Sequence, residues 1–242
     1  MTQPRNKSKR PRTGVHRLSQ GTENYLLSMF QLQEYGRRVT LTTLAEQLRR
    51  LPAGEGLGTS LPSVGGMVRR MVREGLMETA ENKDLLLTPK GRQSAESIVR
   101  RHRLAERLVV DLLGLDLHKA HVEAHRLEHA ISPELETKIQ ERLGRPATCP
   151  FGSPIPGNGY VSPKGSVPLD KAKPGDTVAV ERVPEDDQTL LHYLVSNGVV
   201  PGRRAVVKEA APYRGVITLD CDGNLVVVGY EVAQRLWVTP AR

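Results

Sequence analysis

Leu76-Met77-Glu78-Thr79-Ala80-Glu81-Asn82-Lys83-Asp84-Leu85-Leu86-Leu87 reads as two short extended runs around a polar tip, a β-hairpin. What precedes it decides the fold. Ser19 or Thr22 can cap a helix running to about Tyr35, with Tyr25, Leu26, Met29, Phe30 and Leu32 on its apolar face. Gly36 ends it, and Thr40 opens a second helix carrying Leu41, Leu44, Ala45 and Leu48. The run from Pro52 to Gly58 cannot continue that helix. A third helix starts near Ser60 with Pro62 in its first turn; Val64, Met67, Val68 and Met71 face inward, and Arg69, Arg70 and Arg73 outward. Three helices and a hairpin, in that order, are a winged helix-turn-helix. Its third helix lies in the major groove of DNA and its wing follows the backbone.

Beyond the hairpin, Thr88-Pro89 caps a long helix to Leu113, stopped by Gly114. Its apolar residues exceed what one face can bury, which suggests a subunit interface. A helix over about 117–131 and one from Ser132-Pro133 to about Leu143 follow. Residues 145–174 are rich in proline and glycine and read as a connector. Short β-branched runs then alternate with turns at 177–183, 205–209, 215–219, 225–228 and 236–238, with one helical segment at 189–196, which predicts a small SH3-like β-barrel. The expected class is α+β, divided into a basic tail (1–16), a winged helix-turn-helix domain (17–88), a helical dimerisation and metal-binding domain (89–145), a linker (146–166) and an SH3-like domain (167–242).

The chemistry concentrates in His121-Val122-Glu123-Ala124-His125-Arg126-Leu127-Glu128-His129. On a helix, His121, His125, Glu128 and His129 share one face. His102 and Glu106, four apart, stand on the helix before. The chain has 7 histidines, and most of them fall in this short span. Packed together with nothing between them, such groups repel or desolvate badly; a divalent cation makes the cluster favourable. The zinc-protease signature His-Glu-x-x-His is absent. Cys149 and Cys221 stand far apart with no Cys-x-x-Cys spacing, against a closed zinc–thiolate site and in keeping with a reducing cytosol. The net charge of +8 favours an anionic partner, nucleic acid before membrane. The tail before about Val15, with Arg5, Lys7, Lys9, Arg10 and Arg12, reads as disordered, with a DNA-backbone arm as its functional addition. No apolar run approaches a membrane span of ~20 residues, and no secretory signal is expected.

These residues carry a resemblance. Arg101-His102-Arg103-Leu104-Ala105-Glu106-Arg107-Leu108, Gly114-Leu115-Asp116, Glu128-His129, the connector Pro150-Phe151-Gly152-Ser153-Pro154-Ile155-Pro156-Gly157 and Thr22-Glu23-Asn24-Tyr25-Leu26 together resemble the diphtheria toxin repressor family. The likeness runs from about residue 17 to the C-terminus. It implies a homodimeric, cytoplasmic repressor of metal-homeostasis genes, not an enzyme, that binds a palindromic double-stranded operator when loaded with metal. It also implies an ancillary site of His102, Glu106 and His121, completed from the SH3-like domain among Glu185, Asp186, Asp187 and Gln188, with Asp187 and Gln188 preferred. The primary site it implies uses His125, Glu128 and His129 with Asn24, or Glu23, from the first helix. On the DNA side it implies Thr40, Ser60, Pro62, Ser63, Gly65 and Gly66, with Arg69, Arg70 and Lys83.

The departures carry information too. Iron-responsive members of the family have cysteine at the position of His125 and methionine at that of Asn24, and manganese-responsive members have carboxylates. Leu27 stands where some manganese members have a glutamate. A donor set of nitrogen and oxygen suits Mn(II) first and Fe(II) second, with other divalent transition metals binding in vitro. Ser63, Gly65 and Gly66 replace polar base-reading side chains, so the operator sequence does not transfer. The alternatives are a metal-dependent hydrolase, or a DNA-binding regulator whose barrel senses a non-metal ligand.

Overall fold

The computed structural model describes residues 18–52 and 57–241. The basic tail and most of the loop between Pro52 and Gly58 lie outside the described residues. Helix α1 (Gln20–Glu34) is capped by Ser19, α2 (Leu41–Arg49) by Thr40 in a reciprocal box with Thr43, and α3 (Leu61–Arg73) by Ser60. Strands β1 (Met77–Thr79) and β2 (Leu85–Leu87) pair antiparallel to form the wing. Their core holds Leu26, Leu27, Met29, Leu44, Val64, Met71, Leu76 and Leu85, and Ala95, Ile98 and Val99 of the following helix close it. The first helix of the next region is therefore also a wall of the DNA-binding unit.

That helix, α4 (Pro89–Arg107), begins where Thr88 accepts from Gly91 N at 3.0 Å and donates to Gly75 O at 2.7 Å. Thr88→Ala removes both bonds and is expected to cost about 1–2 kcal/mol, read as a few degrees of thermal destabilisation. An unchanged transition would show the cap to be redundant. The expected long helix does not stay α-helical to Leu113. Residues Leu108–Leu112 widen into a π turn, with Leu113 N donating to Leu108 O at 3.2 Å. This re-aims the end of the helix and leaves Leu112 and Leu113 exposed. Helices α5 (Leu117–Glu128) and α6 (Pro133–Arg142) follow. The buried core of this middle region is small: Leu104, Ala105, Ala124, Ile131, Ile139 and Ile155.

The C-terminal sheet has six strands where the β-branched runs predicted five. In sequence they are β3 (Val167–Pro168), β4 (Thr177–Arg182), β5 (Arg204–Ala211), β6 (Val216–Cys221), β7 (Asn224–Gly229) and β8 (Trp237–Pro240), in the spatial order β3-β8-β4-β5-β6-β7. Helix α7 (Gln188–Ser196) follows β4, and a one-turn α8 (Tyr230–Ala233) that periodicity could not reveal follows β7. The connector is no free tether. Cys149, Phe151, Ser153 and Ile155 are buried, and Phe151 sits in the barrel core beside Val109 and Ala120 of the helical region. Burying a phenylalanine stabilises by about 1.5–3 kcal/mol, so the middle helices and the barrel share one interior. No helix among the described residues is long and apolar enough to cross a membrane.

Candidate metal centre

Four segments converge on one buried polar cluster. Helix α4 brings His102 and Glu106, one turn apart, and α5 brings His121, His125 and Glu128, with His129 at its C-cap. Helix α1 brings Glu23 and Asn24, and the segment entering α7 brings Glu185. His102, Glu106, His125 and Glu128 are wholly inaccessible. His102 Nε2 lies 3.0 Å from Glu106 Oε1 and 3.1 Å from His121 Nδ1, and His121 Nδ1 lies 3.1 Å from the same Glu106 oxygen. On its other side, His102 Nδ1 meets Glu128 Oε2 at 2.5 Å. Glu128 Oε1 is 3.3 Å from His125 Nδ1 and 3.3 Å from His129 Nε2. His129 then reaches α1, with Nδ1 2.7 Å from Glu23 Oε2 and Nε2 3.1 Å from Asn24 Oδ1. A line of polar contacts thus runs from His121 and Glu106 to the first helix, with a Glu185 ligand atom within 4.8 Å of its far end.

The donors suit a divalent cation. His102, His121 and His125 can offer ligand atoms that all lie within 4.8 Å of one another, and so can Glu106, His121 and Glu185. The three-atom triangle of His102, Glu106 and His121 has edges near those of an octahedron with ligands at about 2.1 Å. Glu106 Oε2, both ring nitrogens of His125 and Glu128 Oε1 are buried without hydrogen-bond partners among the described residues. The 3.3 Å approach of His125 to Glu128 is close enough for an ion pair but lacks hydrogen-bond alignment. Each orphaned polar group costs about 1–3 kcal/mol, which a shared cation would offset.

Electrostatics describe how the cluster stands without metal. Burial works against an imidazolium at His102, but Glu106 and Glu128 outweigh it and raise its pKa to about 10. Burial also opposes the Glu128 carboxylate, yet His125 and His102 hold it well below the usual range. Burial lowers His125 to about 4, leaving a neutral donor, and raises Glu185 to about 7, helped by Glu106. A proton on His102 therefore balances the two carboxylates beside it. Metal must displace it, and below about pH 7 must displace one from Glu185 as well. Apparent metal affinity should rise about tenfold per pH unit from pH 7 to 9, and more steeply below pH 7. Competition against a chelating indicator at stepped pH measures this, and a flat profile would rule out displacement of the His102 proton.

The remaining predicted positions separate. Asp187 is not in the cluster: its carboxylate caps α7, accepting from Leu190 N at 3.0 Å. Asp186 pairs instead with Arg50, at the end of α2, at 3.3 Å and with Arg235 of the barrel, whose guanidinium lies 4.9 Å from the Tyr35 ring centroid. Glu185, weighed but not preferred from sequence, is the one brought to Glu106 and His121. Gln188 keeps a buried Nε2 without a partner among the described residues. Arg101, to which the sequence assigns no role, donates to Glu23 Oε1 at 2.7 Å and to Glu128 O at 3.1 Å, fastening α1 to the end of α5.

On the DNA-binding unit, Thr40 and Ser60 are helix caps whose hydroxyls accept from Thr43 N and Ser63 N. Pro62, Ser63, Arg69 and Arg70 are exposed and Gly66 is half-buried. Gly65 is buried, with the Arg69 guanidinium 3.5 Å from where a Cβ would stand. Arg70 pairs with Glu74 at 2.8 Å. Lys83 sits exposed at the wing tip with φ 66°. A groove of 490 Å³ lined by Gly66, Arg69, Val72, Arg73 and Thr79 lies between α3 and the wing.

With this geometry in view, comparison with known proteins is decisive. Over 231 residues the chain is 37% identical to the iron-dependent repressor IdeR of Mycobacterium leprae, covering 90% of this chain and 96% of that protein. The chain belongs to the diphtheria toxin repressor family. Residues 88–157 match the family model described as iron dependent repressor, metal binding and dimerisation domain, and residues 167–240 match the FeoA domain, here the SH3-like sheet. The diphtheria toxin repressor of Corynebacterium diphtheriae is 40% identical over 157 residues, 65% of this chain and 64% of that protein. A solved manganese-dependent transcriptional repressor in complex with manganese superposes with a TM-score of 0.78 at 32% identity, covering 91% of this chain and all of the other.

Proposed function

We propose that this member of the family is a metal-activated, homodimeric, DNA-binding transcriptional repressor of metal-homeostasis genes, working in the cytoplasm on a palindromic operator. The observation that carries the reading is the buried donor cluster whose last imidazole, His129, reaches α1 through Glu23 and Asn24. His125, Glu128 and His129, with Glu23 or Asn24, would hold one cation; His102, Glu106, His121 and Glu185, with Gln188 at hand, a second. Bound metal supplies positive charge that fixes several donors at once. The chain's own residues do the rest: His129 and Arg101 hold α1 against α5, and Asp186 holds α2 against the barrel through Arg50. A cation shifts this equilibrium only by binding the closed arrangement better than the open one. Moving from mostly inactive to mostly active needs about 5 kcal/mol, which two sites in each of two chains can share.

The metal proposed for the first site is Mn(II), then Fe(II), from its nitrogen and oxygen donors. The exposed Leu112 and Leu113 after the π turn are proposed to lie in the dimer contact. The division at residues 17–88, 89–145, 146–166 and 167–242 belongs to the same reading, with Phe151 making the connector part of the barrel's interior. A hydrolase fits less well, because the cluster's donors are buried on every side and offer no face to a substrate.

The test is a DNA-binding titration of chelator-stripped protein on genomic fragments selected with the metal-loaded form, adding Mn(II), Fe(II) and Zn(II) separately. Binding should appear with metal and be reversed by chelator. Binding indifferent to chelator would overturn the reading in favour of a regulator sensing another ligand.

A further inference from the structure

Resting on that DNA-binding reading, we propose that Arg69 is the base-reading side chain of α3, seated in a notch left by Gly65 and Gly66, and that it takes a guanine by its major-groove edge. The sequence leaves the task to few residues. From Leu61 to Val68 the helix reads Leu-Pro-Ser-Val-Gly-Gly-Met-Val, in which Ser63 is the one polar side chain. Ser60 Oγ already donates to its hydroxyl at 3.0 Å and accepts from its backbone N. The first long hydrogen-bonding side chain of α3 is therefore Arg69. Helical side chains lean toward the N-terminus, over residues three and four positions back. For Arg69 those residues are Gly66 and Gly65. Its guanidinium lies 3.5 Å from where a Cβ of Gly65 would stand and 3.9 Å from that of Gly66. A side chain longer than alanine at either position would compete for the volume the guanidinium fills.

The fold itself does not ask for these glycines. Neither has a positive φ. Outside the helix's own backbone, no atom among the described residues but that guanidinium comes within 4 Å of either Cβ position. Adjacent glycines weaken a helix interior, so they loosen α3 without serving any other contact within it. Arg69 is also free to act. Its neighbour Arg70 is held by Glu74 at 2.8 Å, whereas no carboxylate among the described residues pairs with Arg69. Arg69 is exposed on the wall of the groove it shares with Gly66, Val72, Arg73 and Thr79 of the wing. A recognition helix presents its N-terminal half to base edges in the major groove, and Arg69, laid back over the notch, brings its guanidinium to that half. The guanidinium offers a fork of parallel N–H donors. Guanine alone sets two acceptors, N7 and O6, side by side in that groove. Adenine sets a donor beside its N7, cytosine shows a donor, and thymine sets a methyl beside its O4.

Base-substituted versions of an operator fragment, selected with the metal-loaded full-length chain, test this. A guanine in each half-site should be required, and 7-deazaguanine there, which lacks the N7 acceptor, should weaken wild-type binding by about tenfold. In Arg69→Ala that penalty should fall below about twofold, with preferences at other positions kept and metal still required. Arg69→Lys keeps the charge but not the fork, so it should lose most of the guanine preference while the salt dependence of binding stays unchanged. Gly66→Ala should leave the thermal midpoint where it is or raise it by a few degrees. Wild-type indifference to 7-deazaguanine at every position overturns the proposal. So does a uniform loss of affinity in Arg69→Ala, with every base preference intact and a salt slope smaller by about one, because Arg69 would then be a phosphate contact. A lowered midpoint in Gly66→Ala would assign the notch to the fold and overturn its part. In each of these cases metal-dependent DNA binding survives. Failure of the wild-type chain to bind DNA with metal overturns both readings.

Discussion

Replacing Glu128 with glutamine is expected to lower metal-dependent DNA binding by about 100-fold or more at saturating Mn(II), with the fold retained. Glu128 is where the two halves of the cluster meet. One carboxylate oxygen contacts His102 at 2.5 Å and the other lies 3.3 Å from both His125 and His129. Glutamine keeps the shape but removes the charge, and it turns an N–H₂ group toward imidazoles that need an acceptor. Loss of even an outer partner of a metal site costs about 10–100-fold in affinity; this residue touches donors of both sites. Fluorescence anisotropy against a selected operator fragment, with circular dichroism as the control for folding, reads the effect. Unchanged metal dependence would remove Glu128, and with it the proposed first site, from the mechanism.

The second large effect is structural. Gly152 has φ 88°, and an added Cβ would stand 1.9 Å from Glu181 O and 2.9 Å from Arg182 Cα. Both obstacles are backbone of strand β4, so no side-chain rotation relieves the overlap, and the backbone conformation itself disfavours any residue with a Cβ. Gly152→Ala must push the connector off the barrel, which draws Phe151 out of the shared interior and Cys149 away from Glu185. We expect a loss of more than about 3 kcal/mol, seen as a fall of about 6–12 °C in the thermal midpoint. A midpoint within two or so degrees of the parent would mean the turn can re-form elsewhere.

Much of this architecture was legible in the chain because it is written locally. Ser19, Thr40, Ser60, Thr88 and Ser132 cap the helices they were expected to cap, since a hydroxyl followed by a helical run solves a problem confined to a few residues. The clustering of His102, Glu106, His121, His125 and Glu128 was also foreseeable, because helical spacing puts them on common faces. What could not be foreseen depends on tertiary placement. Glu185, Asp186, Asp187 and Gln188 are chemically similar neighbours, and only the path of the chain leaving β4 sends the first to the cluster, the second to arginines and the third to a helix end. Cys149 lies 36 residues from Glu185, and nothing in its surroundings along the chain announces the encounter. The π turn at Leu108–Leu112 and the short α8 left no periodic trace.

Those four consecutive residues have a consequence for how the molecule hears about metal. Neighbouring Cα atoms are only about 3.8 Å apart, so whatever repositions Glu185 also shifts Asp186, whose grip on Arg50 ends on the helix preceding the one that reads DNA. With Glu185 as the ligand proposed above, the signal would have a shortcut: besides the route from α5 to α1, a lever of one peptide bond would join the barrel to the helix before α3. On that proposal the C-terminal sheet is a working limb of the switch rather than an appendage.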